Sequence, residues 1–134
     1  MEYLIGVGLA VMVCAFATLA GFDRDRVFYP TLVMVIATYY VLFAVMGSST
    51  PALVWESLIA VVFFALSVAG FKTSLWLIVA ALTGHGVFDL VHHRFIQNPG
   101  VPVWWPGFCL SFDVLAGGFL AMLLRRRSGF ASKV

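Results

Sequence analysis

The chain has 134 residues, of which 63% are hydrophobic and only 10% charged, whereas soluble domains run at roughly 45–50% apolar and 25% charged. Its mean hydropathy is +1.05, which excludes an ordinary soluble domain, and a formal net charge of +2, carried at ends and loops, provides no nucleic-acid surface. The length accommodates about five or six spans of roughly 20 residues with short connections, so the expectation is an all-α integral membrane protein, a five-helix transmembrane bundle forming a single domain over 1–134.

The first apolar run, 3–22, is preceded by Glu2 and followed by Arg24 and Arg26. This is the reverse of signal-peptide polarity, so the run is expected to remain as a span. Along it Gly6, Ala10, Cys14, Ala17 and Gly21 recur at helical spacing, a small-residue face on which another helix packs closely. The second span, 27–47, carries Pro30 near its start, where a missing N–H costs little. Tyr39 and Tyr40 lie in its far half, each able to pack locally or to donate to a polar site. GSSTP (47–51) is a turn, with Ser and Thr available to cap the third span, 52–71. On that span Glu56, Ala60, Phe63, Ser67 and Gly70 share one face. A carboxylate in lipid costs several kcal/mol, so this face is predicted to turn inward.

A short Lys72–Ser74 connection leads to the fourth span, 75–96, whose second half reads GHGVFDLVHHR from Gly84 to Arg94. QNPGVPVWWPG comes next, a Pro- and Gly-rich stretch whose Trp104 and Trp105 read as an interfacial segment. The last span, 105–124, contains Asp113 and is expected to stop at Arg125, Arg126 and Arg127. Cys14 and Cys109 lie in apolar segments without CxxC spacing, and read as small packing residues rather than a disulfide or zinc site.

Five spans put the termini on opposite sides. With the C-terminus in the cytoplasm, Arg24, Arg26, Lys72, Arg125, Arg126, Arg127 and Lys133 are inside and only Arg94 is outside, so the positive-inside rule predicts an external N-terminus. In that orientation Glu56, His85, Asp89, His92, His93 and Asp113 all fall between about the midplane and the external surface.

All three histidines of the chain lie in the fourth span. At about 100° per residue, His85, Asp89 and His92 form one stripe with His93 beside it. Imidazole and carboxylate suit zinc, iron or manganese, so the predicted divalent-metal ligands are His85, Asp89 and His92, with His93 as a lesser candidate. Glu56 is expected as a fourth ligand or general base, and Asp113 as a ligand or as an acceptor orienting a histidine. A metal with an open position would act on a lipid-like substrate entering between helices. The same residues also suit a proton or ion relay, with Asp89 and Glu56 exchanging protons and His85 shuttling. A third reading makes them interfacial anchors and buried hydrogen-bonding glue in a membrane scaffold, alone or as a homo-oligomer built on the small-residue faces. Ser111 lies near Asp113 without a GxSxG elbow, which argues against a serine hydrolase. Asp89 and Asp113 share the depth needed for a two-aspartate protease, but that chemistry does not need the histidines.

HGVFD, His85 to Asp89, resembles an element of the bacterial membrane-bound carotenoid-cleaving dioxygenases. The resemblance implies an iron held with His85 as a ligand. More distantly, the set of His, Asp and Ser is similar to the zinc-dependent alkaline ceramidase superfamily of seven-span hydrolases. Taken together, HGVFDLVHH and NPGVPVWWPGFCLSFD most resemble a family of small bacterial multi-pass membrane proteins, which implies location and fold but no activity.

Overall fold

Five α-helices make up the computed structural model, which describes residues 1–131: α1 (Glu2–Ala20), α2 (Phe28–Met46), α3 (Thr50–Lys72), α4 (Leu75–Phe95) and α5 (Trp105–Ala131). Each is long and apolar enough to cross a membrane. Even the shortest, at 19 residues, rises about 28 Å, close to the thickness of a hydrocarbon core.

The helix ends obey local chemistry. Gly21 closes α1 in the left-handed conformation (φ 82°), and the N–H of Phe22 donates to the Ala17 carbonyl at 2.8 Å. Few other residues adopt this geometry cheaply. The Ser49 hydroxyl accepts from the Ala52 N–H to start α3, and the Ser74 hydroxyl accepts from the Trp76 N–H to start α4. α5 differs from expectation: it does not stop at the arginines but continues to Ala131. Arginine is a good helix former, so the triplet ends the apolar stretch without breaking the helix.

The helices do not pack in chain order. α1 lies against α5 rather than its sequence neighbour α2, α5 lies against α4, and the α2–α3 hairpin packs on α4. The small-residue face explains the first choice. Gly6, Ala10, Cys14 and Ala17 are buried, and α5 comes so close at Gly6 that an added methyl would collide with the Ser111 hydroxyl and the Phe108 carbonyl. Ile78, Leu82, Val33, Phe112 and Leu120 form the apolar centre. Large side chains such as Leu4, Phe16, Trp55 and Val61 remain exposed on the outside, as expected for a surface facing lipid rather than water.

Most of the basic residues gather at one end. The Arg26 guanidinium donates to the Gly70 and Phe71 carbonyls at 3.1 and 3.0 Å, cation on the open C-terminus of α3. Arg127 donates to the Asp23 carbonyl at 2.9 Å. The α1–α2 loop and the ends of α3 and α5 therefore meet, while Arg94 and the 96–104 connection lie at the opposite end. Lys133, counted in the charge asymmetry, lies outside the described residues.

Candidate metal centre and the adjoining histidine–glutamate pair

The stripe on α4 is buried along its length: His85 is 4% exposed, Asp89 0% and His92 3%. Two helices bring partners to it. α5 approaches closely because residue 86 is glycine. A Cβ there would stand 3.0 Å from the Asp113 Cβ and 3.2 Å from the Leu110 Cα, so the absence of a side chain lets Asp113 reach His85.

His85 Nδ1 lies 2.8 Å from Asp113 Oδ2 and 3.7 Å from Asp89 Oδ2. Suitable ligand atoms of His85, Asp89 and Asp113 all fall within 4.8 Å of one another. One ring nitrogen carries at most one proton, so it cannot satisfy both carboxylates. Both oxygens of Asp89 and Oδ1 of Asp113 are buried without a hydrogen-bond partner. The Tyr40 hydroxyl and the Cys109 thiol are the side-chain donors that face Asp89, set outside direct hydrogen-bonding geometry. Two carboxylates facing one imidazole, with three acceptor atoms unsatisfied in a low-dielectric interior, are costly as they stand, and a donor set of this kind could hold a cation.

His92 belongs to a second group. Its Nε2 lies 2.8 Å from Glu56 Oε1 on α3, and the same oxygen accepts from the Asn98 amide at 2.9 Å. Asn98 also donates to the Tyr40 carbonyl at 3.1 Å, while its own carbonyl accepts from the Gly100 N–H at 3.2 Å. Gly100 fits against the Phe43 carbonyl at the end of α2, where an added Cβ would collide with it. The 96–104 segment thus folds over the α2–α3 end and pins Glu56 from above. Tyr40 joins the two groups: its ring centroid is 4.4 Å from that of His92 and 6.1 Å from that of His85.

The candidates from the sequence therefore divide into two sets. His85, Asp89 and Asp113 form one, and Glu56 and His92 form the other. His93 is exposed, and its backbone carbonyl accepts from the Gln97 side-chain amide at 2.8 Å. The Ser111 hydroxyl donates back to the Gly107 and Phe108 carbonyls of its own helix. Asn98 is a site residue that the sequence does not single out. A polar amide before Pro-Gly is ordinary turn chemistry, and nothing local reveals that its partner is Glu56, 42 positions away.

A cleft of about 740 Å³ opens between α1, α2 and α5, lined by Leu9 and Val13 of α1, Leu32 and Val35 of α2, and Phe108 and Phe112 of α5. Cys109 and Asp113 of α5 also line it. Comparison with protein-family models, curated proteins and solved structures finds no match to this chain.

Proposed function

We propose that the chain is a multi-pass protein of the bacterial cytoplasmic membrane, with its N-terminus outside and C-terminus inside. In this reading it holds a divalent cation, zinc or iron, through His85, Asp89 and Asp113, and acts as an enzyme on a lipophilic substrate. The observation that carries the reading is the donor set: one imidazole and two carboxylates with ligand atoms within 4.8 Å and three carboxylate oxygens without partners. Nitrogen and oxygen donors of this kind suit zinc and iron. The likeness of HGVFD to an element of iron-holding dioxygenases accords with His85 as a ligand. A bound cation would supply Lewis acidity and a more acidic water. The chain's own contribution is burial, which excludes bulk water, and the Glu56–His92 pair, which holds a hydrogen-bonded imidazole and carboxylate on the same helix face as the centre.

The orientation draws support from the gathering of Arg26 and Arg127 with the ends of α3 and α5. Metal analysis of the purified protein in detergent tests the centre. About one equivalent of zinc or iron is expected in wild type and none in His85→Ala or Asp113→Ala, with helicity retained by circular dichroism. Wild-type protein that neither carries nor takes up such a metal would sink it. One observation favours a second reading, a proton relay: the Tyr40 ring packs near both histidines and its hydroxyl faces Asp89. Proton flux in liposomes that is lost on Asp89→Asn would support that reading instead.

A further inference from the structure

The two cysteines of the chain are both buried, but in different company. Cys14 belongs to the apolar centre with Ala10, Val33 and Ile78. Cys109 stands beside carboxylates: its thiol faces Asp89, and Asp113 adds negative charge nearby. The reading of both as small packing residues suits Cys14 and does not suit Cys109.

The register of two helices accounts for this placement. His85 and Asp89 lie one turn apart on α4, and Cys109 and Asp113 one turn apart on α5, so each pair occupies one helix face. His85 meets Asp113, and one turn further along α4 Asp89 meets Cys109, one turn earlier on α5. The two pairs therefore oppose each other in antiparallel register. The helices are also close at this level, since a Cβ on Gly86 would stand 3.2 Å from the Cα of Leu110, the residue after Cys109.

Three of these four groups already have ligand atoms within 4.8 Å of one another. Asp89 is 0% exposed and neither of its oxygens has a hydrogen-bond partner, so the carboxylate that the thiol faces is the one most in need of a cation. A protonated thiol offers it only a weak donor. A thiolate would add a further negative charge beside two carboxylates, which a shared cation would offset. Sulfur also discriminates among cations. Carboxylates suit magnesium, calcium or manganese, whereas a thiolate favours zinc.

We propose that Cys109 is the fourth ligand of the centre and commits it to zinc, α4 and α5 each supplying one i, i+4 pair. Coordination turns the thiol about χ1 towards the ion, and its proton passes to solvent as the sulfur–zinc bond forms. The proposal rests on the metal-centre reading for the other three donors and narrows its choice of zinc or iron. Zinc expands to five-coordinate in catalysis, so a fourth protein donor is compatible with a substrate.

The test is titration of the full chain in detergent with cobalt(II) in place of zinc, under anaerobic conditions with a thiol-free reductant. A thiolate bound to cobalt gives an intense charge-transfer band in the near ultraviolet; imidazole and carboxylate do not. Cys14→Ala leaves Cys109 as the single thiol of the chain, so the band in that protein identifies the ligand without altering the site. It is expected in wild type and in Cys14→Ala alike, saturating at about one equivalent and bleached by added zinc. Cys109→Ser, folded by circular dichroism, should lose the band while still binding cobalt at least about tenfold more weakly, the cost of losing even a supporting partner of a metal ligand. The preference for zinc over manganese should narrow in the same variant. Cobalt bound by Cys14→Ala with no thiolate band would overturn the proposal and leave the three-ligand centre standing. A band that survives in Cys109→Ser would also overturn it. Folded protein that takes up neither cobalt nor zinc would overturn the centre and the fourth ligand together.

Discussion

His85 and Asp89 sit one turn apart on α4, yet the closer partner of His85 is Asp113 of α5: Nδ1 lies 2.8 Å from Asp113 Oδ2 and 3.7 Å from Asp89 Oδ2. The cross-helix contact sets the geometry of the site, and the contact within the helix adds a second carboxylate to it. Such a group is held by the packing of α4 on α5, so its integrity depends on a residue with no functional atoms of its own.

That residue is Gly86. Replacing it with Val puts branched bulk where the Asp113 Cβ and Leu110 backbone already stand 3.0–3.2 Å from a bare Cβ. Gly86→Val is expected to destabilise by about 1–3 kcal/mol and to abolish metal retention, measured by thermal unfolding in detergent and by elemental analysis. Gly84, where an added Cβ meets nothing within 4 Å, provides the control. Gly84→Ala should leave metal content unchanged.

The two groups on α4 predict separable phenotypes. Substituting His92 by Ala removes the partner of Glu56 and leaves a buried carboxylate with only the Asn98 amide. The cost should be about 3–5 kcal/mol if the pair is ionised, read by thermal unfolding. Metal content per folded molecule should nevertheless remain, whereas His85→Ala should lose it. Equal metal loss in both variants would show that the two groups act as one centre. His93→Ala, on the exposed face, should change stability by no more than about 0.5 kcal/mol.

Asn98 is expected to matter out of proportion to its place in a loop. Asn98→Ala removes hydrogen bonds to Glu56 and to the Tyr40 carbonyl, a loss of about 1–3 kcal/mol. Asn98→Asp places a second carboxylate against Glu56. It also removes the amide donor to Glu56 Oε1, so its penalty should exceed that of Asn98→Ala. Thermal unfolding of the two variants in detergent checks the order.

Metal retention should itself depend on pH. Imidazole and carboxylates must be deprotonated to bind, so protons compete with the cation and affinity should fall on acidification and recover on return to neutral pH. Titration with zinc under both conditions measures this. An affinity independent of pH would point to a site made of other atoms.

Much of the architecture was legible in the residue order, for identifiable reasons. Apolar length marks a span wherever it occurs, so all five helices could be anticipated, and helical phase located the buried faces of α1 and α3 before any packing was known. The inward turn of Glu56 was implied by the cost of a carboxylate in lipid, and it is 2% exposed. Reading α4 alone, however, places His85, Asp89 and His92 in a single ligand set, because phase along one helix carries no information about what stands opposite it.

Which residues of this chain are apolar enough to cross a bilayer, and which faces of α1, α3 and α4 are buried, were determined by the sequence itself, since both depend on local composition and a fixed helical period. Helix pairing was decided only in three dimensions. α1 chose α5 over α2, and that choice left the cleft open. Gly86 let Asp113 rather than Glu56 join His85, and the 96–104 segment returned to place Asn98 on Glu56. These outcomes depend on steric fit between distant surfaces, where the presence or absence of a single Cβ decides how near two helices can lie.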